Sequence, residues 1–340
     1  MDTNRLGPGP RNLITDVAGL RIGQAQDARV RTGVTVILPD DRAVCACDVR
    51  GGGPGTRETD ALSPENLVDA IDAVVLSGGS VYGLAAADGV TAWLGARGRG
   101  YGLVAGVPPS PVVPGAILFD VANGGDKAWD EAPPYRDLGR AAIAATGLDF
   151  ALGTAGAGYG AMAGTLKGGT GSASVVSADG FTVGAVVAVN SWGSVVAPGG
   201  RTFWAAPYEL AGEFGGLGSA GLAAGPDQWG LPKRPDETRN TTIACVATDA
   251  ILTPSQAKRV AVMAQDGLAR AIRPVHAPFD GDVVFALSTG RRPLGEAADY
   301  TVARLGALAA DTLARAVARG VFEATPWPDA PVSCWRDLSS

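Results

Sequence analysis

"RNTTIACVATDAILTPSQAKRVAVMAQDGLARAI" (residues 239–272) contains a strand and a helix back to back. Ile243, Cys245 and Ala247 alternate with Ala244, Val246 and Thr248, a period of two with apolar residues on both faces, and Asp249 closes the run. That pattern predicts a strand covered on both sides. Thr253-Pro254-Ser255-Gln256 then has the form of a capping box with proline at the first helical position. The helix it opens would carry Ala257, Val260, Ala261, Ala264, Leu268, Ala271 and Ile272 on one stripe. "DVVFALSTG" (282–290) reads as a second buried strand. A helix from Tyr300 would present Val302, Leu305, Ala309, Leu313 and Ala316 at helical spacing. Strand, helix, strand, helix implies a mixed α/β protein in layers, with helices covering sheets.

Upstream, "TGVTVILP" (32–39) and "AVCACDV" (43–49) alternate and are expected to form a hairpin. Ser63-Pro64 has the chemistry of a helix start. "AVVLSGGS" (73–80) predicts a strand running into a glycine turn, and 81–98 a helix of small residues. Residues 98–137, dense in Gly and Pro, predict irregular surface. "GSASVVSADGFTVGAVVAVNSWGSVV" (171–196) predicts two strands about the turn Ala178–Gly180, and 197–238 a long loop. The chain holds 49 glycines among 340 residues without a period, which suits tight turns and close backbone approaches in one compact body. Neither side of residue 240 carries a self-sufficient core, so 1–340 is read as one domain.

The net charge of −6 argues against a nucleic-acid partner, because neutralising phosphates takes clustered Lys and Arg. No apolar run approaches the ~20 residues of a membrane span. The opening "MDTNRLGPGPRN" lacks the apolar stretch of a secretory signal, so the expected location is the cytoplasm. Cys45 and Cys47 fit alternate positions of a strand better than a metal clasp. "GAGYGA" (156–161) matches a dinucleotide fingerprint, yet the following "MAGTLKGGTG" is no helix to face a pyrophosphate. His276, the one histidine, lies on a proline-flanked loop with no G-x-S-x-G elbow to serve.

Asn240-Thr241 admits two readings. One is a strand entry with a polar edge. The other is a nucleophile: an N-terminal threonine carries its own base, because a free α-amine titrates near pH 8. Thr241 would gain that amine only if the chain cut itself between Asn240 and Thr241.

Residues 239–290 resemble the C-terminal part of the DmpA-like hydrolases, which include L-aminopeptidase/D-esterases, β-peptidyl aminopeptidases and nylon-oligomer endohydrolases. "NLITDVAGLRIG" (12–23), "VVLSGGSVYGL" (74–84), "GTAGAGYGAMAGTLKGGTGSAS" (153–174) and "VGAVVAVNSWG" (183–193) extend the likeness over nearly the whole chain. The resemblance implies a layered αββα sandwich, similar to N-terminal-nucleophile hydrolases but with different connectivity. It also implies self-cleavage into 1–240 and 241–340, a homo-oligomer such as a tetramer, a small peptide or amide as substrate, and no cofactor. Thr241 matches the family's nucleophile, and Asn190 matches the asparagine whose amide faces the scissile carbonyl. Lys167, Asp280 and Asp282 match the nylon-oligomer branch: the lysine to depress the amine and hold substrate, the carboxylates to orient the ammonium or hydroxyl of Thr241. The β-aminopeptidases' Ser-x-Glu is missing. Tyr82 and Tyr159 are candidates for lining the pocket. Two further classes stay open at this point: a ligand-binding protein left uncut, and an acyltransferase resembling ornithine acetyltransferases.

Overall fold

A computed structural model of the chain describes residues 6–102, 104–220, 222, 224–234 and 240–339. The strand predicted from the opening stretch is observed at Thr241–Ala250, where it is the central strand of a five-stranded sheet. In chain order the strands are β1 (Leu20–Asp27), β2 (Thr32–Pro39), β3 (Val44–Val49), β4 (Thr56–Arg57), β5 (Val74–Ser77) and β6 (Gly115–Ile117). They continue with β7 (Met162–Ala163), β8 (Leu166–Lys167), β9 (Gly169–Val176), β10 (Thr182–Asn190), β11 (Thr241–Ala250) and β12 (Val283–Arg292). The helices are α1 (Ala86–Gly95), α2 (Tyr135–Ala144), α3 (Pro254–Ala271) and α4 (Ala298–Phe322). One sheet has the order β1-β2-β5-β6-β4 and the other β3-β12-β11-β10-β9; β7 and β8 form a short ribbon.

The alternation in β11 explains the layering. Ile243, Cys245 and Ala247 join Val186, Ala188, Val283, Phe285 and Leu287 against Ile22, Ile37, Val74 and Leu76 of the first sheet, which forms the core between the sheets. Ala244 and Val246 point the other way, into a core with α3 and α4. On the far side Val34, Val36 and Val75 pack on Val90, Leu94, Ala142 and Ile143 of α1 and α2. The architecture is therefore α-β-β-α. The capping box of α3 is present: the Gln256 N–H donates to Thr253 Oγ1 (3.3 Å) and the Thr253 N–H to Gln256 Oε1 (2.9 Å).

Three expectations are corrected. Strands 32–39 and 43–49 are not a hairpin: β2 pairs with β1 and β5, whereas β3 crosses to the other sheet and pairs with β12. Ser63-Pro64 opens no helix. Ser63 ends a single 3-10 turn (Asp60–Leu62), and the following Glu65, Asn66 and Leu67 are exposed, with no apolar stripe to bury. The region 98–137 contains β6, which pairs parallel to β5, and the start of α2. Residues 156–158 form one 3-10 turn followed by the β7–β8 ribbon, so the helix that a dinucleotide fingerprint needs is not there. None of the described helices is long and apolar enough to cross a membrane.

Candidate active site

β10 ends at Asn190 and β11 begins at Thr241, and these two residues are directly opposed in the antiparallel ladder. Opposed residues share a face, with Cβ atoms roughly 4.5–5.5 Å apart. That face is the inner one, since Asn190 continues the series Val186, Ala188 and Thr241 precedes Ile243, Cys245. Both side chains are buried, at 2% and 3% exposure, at one end of the sandwich.

The Thr241 hydroxyl donates to the carbonyl oxygen of Asn240, the acceptor of its own preceding peptide bond. The same oxygen accepts the Gly281 N–H at 3.1 Å. Asn240 forms a parallel bridge with Asp280, and the Lys233 ammonium donates to its side-chain Oδ1. The junction is thus gripped from three sides. A side chain at position 281 would intrude here: a Cβ would stand 2.6 Å from Thr241 Oγ1 and 2.8 Å from the Gly53 carbonyl.

Asp282 accepts the Thr242 N–H through Oδ1 (2.8 Å). Asp280 accepts the Ala277 N–H through Oδ2 (3.0 Å), while its buried Oδ1 has no hydrogen-bond partner among the described residues. The glycine loop after β3 binds the backbone of both aspartates, with Gly53 N–H on the Asp280 carbonyl (2.7 Å) and Arg50 N–H on that of Asp282 (3.0 Å). Burial, then the charge of Asp282, pushes the Asp280 carboxyl up to about 6, against the backbone N–H groups of Ala277 and Trp192 and the charge of Lys233, which pull it down. The sign for stability follows. The native state binds the Asp280 proton more tightly than the unfolded chain, whose carboxyl titrates near 3.8. The contribution of Asp280 to stability is therefore fully present at low pH, declines between those values, and is lost above about pH 6. Asp280→Asn is expected to raise the melting temperature at pH 7.5 and to leave it unchanged below pH ~4, as calorimetry at several pH values would read.

The Asn190 amide is held at both ends: Oδ1 accepts the Met162 N–H (3.0 Å) and Nδ2 donates to the Phe119 carbonyl (3.1 Å). Met162 pairs with Lys167 in the ribbon. Lys167 is completely buried, and its ammonium donates to the carbonyls of Gly158 (3.3 Å), Ala161 (3.0 Å) and Gly168 (2.7 Å). Burial pulls its proton affinity down to about 7. Three carbonyl acceptors match the three N–H bonds of the charged form, and the face of Trp327 lies 5.1 Å from Nζ. Lys167 and Asn190 are thus joined through a two-stranded ribbon.

Thr241, Asn240, Asn190, Asp280 and Asp282 come together directly, and Lys167 lies one ribbon away. Tyr159 touches this group through its carbonyl, which accepts the Trp327 indole N–H (2.7 Å). Tyr82 is half exposed and sets its ring edge on Trp129, 5.6 Å between centroids, with no hydrogen bond or ring contact to the other candidates among the described residues. The sequence reading did not single out Gly281, Lys233, Phe119 or Trp327. Only Gly281 left a usable signal there, a glycine set between two acidic residues ahead of a buried strand.

A sequence profile of peptidase family S58 matches residues 12–330. An uncharacterized aminopeptidase of Mycobacterium tuberculosis (strain H37Rv) is 46% identical, covering 96% of this chain and 98% of that protein. The 6-aminohexanoate-oligomer endohydrolase of Kocuria sp. is 28% identical over 83% of this chain and 76% of its own length. The solved L-aminopeptidase D-Ala-esterase/amidase of Ochrobactrum anthropi superposes with a TM-score of 0.69, covering 97% of this chain and 91% of that one at 23% identity. It is described as a variant of the Ntn-hydrolase fold, and the α-β-β-α layering found here agrees with that. With the match spanning nearly the whole sandwich, both opposed strand ends included, the chain belongs to peptidase family S58.

Proposed function

We propose that this chain cuts itself between Asn240 and Thr241 and then hydrolyses short, unhindered peptides and amides through an acyl-enzyme on Thr241. The observation that carries the reading is the shared carbonyl of Asn240, in contact with the Thr241 hydroxyl on one side and the Gly281 N–H on the other. A nucleophile and an oxyanion donor on one amide are the parts that acyl transfer needs.

In the cut, Thr241 Oγ1 bonds to the Asn240 carbonyl carbon, the C–N bond breaks, and the hydroxyl proton passes to the departing nitrogen. Water then hydrolyses the ester, leaving the carboxylate of Asn240 and a free amine on Thr241. In turnover that amine takes the hydroxyl proton as Oγ1 attacks the substrate carbonyl, and returns it to the leaving amine. A second water releases the acyl group. Asn190 Nδ2 supplies the uncharged donor for the oxyanion, and the unpartnered Oδ1 of Asp280 is a seat for the new ammonium of Thr241. The Lys167 charge favours the neutral form of that amine. The cytoplasm and a homo-oligomer, a tetramer among the forms to test, complete the proposal.

Intact-mass analysis of purified protein tests the first half: two masses meeting at 240/241 are expected, and a fully active protein of one mass overturns it. A panel of L- and D-aminoacyl amides, β-peptides and 6-aminohexanoate oligomers tests the second. Because two of the relatives' names differ in substrate, the panel and not the fold decides the acyl group. Gly281→Ala, which drives a methyl into Thr241 Oγ1, is expected to slow the cut roughly 100-fold without unfolding the chain. A time course on denaturing gels beside a melting curve checks it.

A further inference from the structure

His276 is the chain's one histidine, and its backbone is left-handed (φ 57), a conformation that costs a non-glycine residue about 1 kcal/mol or more. Something must hold it there. Both its backbone N–H (3.2 Å) and its ring Nδ1 (2.8 Å) meet the same oxygen, Asp282 Oδ2. The other oxygen of that carboxylate holds the N–H of Thr242, the residue after the nucleophile. Asp282 is 1% exposed, whereas the imidazole is 20% exposed, so the pair has a dry end at β11 and a wet end at the surface.

From this geometry we infer that His276 is a positioning residue of the reaction: through Asp282 it fixes the backbone behind Thr241, and its ring is the one side chain paired with that buried carboxylate among the described residues. The inference rests on the proposed role of Thr241. It differs from a general-base role, since the ring is turned to Asp282 and acts through it. The charge count around the loop supports it. Asp280 and Asp282 face each other from one loop, and burial with that neighbouring charge already pushes Asp280 up. Against them stand Lys233, from the segment ahead of β11, and the Thr241 amine once it is free. Arg50, on the glycine loop after β3, is committed to Asp48 at 2.7 Å.

The test uses the full chain carrying His276→Asn, whose amide N–H falls near the place of Nδ1, and His276→Ala, which keeps neither hydrogen bond nor charge. His276→Asn is expected to retain kcat on its pH plateau within about threefold, while the acid limb of kcat/KM moves upward by about half a pH unit or more. His276→Ala is expected to lose about tenfold or more in kcat with KM little changed, because Asp282 is no longer held. If His276→Ala fails to fold, the pH profile of His276→Asn alone decides. A wild-type profile in His276→Asn overturns the inference. Thr241→Ala is run alongside: if it is inactive while both His276 variants behave as wild type, only this inference falls, and if it is active the reading of the whole site falls with it.

Discussion

Thr241→Ala is expected to purify as one 340-residue chain, never to yield the two pieces, and to show no amide hydrolysis above background. The variant removes the oxygen proposed to attack in both reactions and, with no cut, would also lack the amine proposed as base. The two losses cannot be separated by this variant, which is why Thr241→Ser is its companion: it keeps the hydroxyl and should still process, at a changed rate. The fold should persist in Thr241→Ala. The side chain lies at the mouth of the sandwich rather than in the aliphatic layer, and the strand pairing of β11 with β10 and β12 involves backbone alone. Mass spectrometry, a melting curve and the substrate panel, taken together, read all three expectations.

Asn190→Ala is expected to lower kcat by a factor of roughly 100 to 1,000 while KM changes little, the signature of a donor used chiefly in the transition state. The argument is that its amide is already immobilised, between the Met162 N–H and the Phe119 carbonyl, so no ordering cost falls on the reaction. Asn190→Asp is the sharper control. A carboxylate cannot donate, would lie against the Phe119 carbonyl, and would oppose a developing oxyanion. It should be at least as impaired as alanine in steady-state kinetics. Equal kcat in both variants and wild type would remove the side chain from catalysis.

The parts of this molecule readable from its sequence are those with a strong period or a local chemical rule. β11, α3, β12 and α4 fall where the apolar spacing puts them, and the Thr253 cap is made by the residues expected to make it. Residues 43–49 were legible as a strand but not as to its partner. A two-faced apolar strand fits a hairpin and a crossover equally, and which sheet takes it is settled by the long-range pairing of β3 with β12. Helix α2 escaped for a different reason. It meets α1 through glycines: a Cβ on Gly139 would come 2.1 Å from the Ala86 carbonyl, and one on Gly89 2.0 Å from that of Arg136. The glycines interrupt an apolar stripe that is otherwise there, Tyr135, Leu138, Ala142 and Ile143, and the helix is only ten residues long. In the site, Thr241 was one of two readings of the Asn240-Thr241 pair until the family resemblance favoured it, and Asn190, Lys167 and the two aspartates were reached through that resemblance alone. The His276–Asp282 pair forms across a loop whose left-handed turn at His276 brings ring and carboxylate together, and no linear pattern encodes that.

The central place of β11 bears on how the mature protein can be made at all. Hydrogen-bonded to neighbours on both sides and buried on both faces, it cannot be threaded into the second sheet after that sheet has closed. While the backbone is whole, β10 and β11 find one another within a single molecule; once it is severed, the same encounter depends on concentration. Maturation would then act as a ratchet. Denatured two-piece enzyme should regain activity at a rate that falls as it is diluted, whereas unfolded uncut chain should recover at a rate that dilution does not touch. On the proposed cut, the shelf life of the two-piece enzyme would be governed by how fast it opens, not by how favourably it would close again.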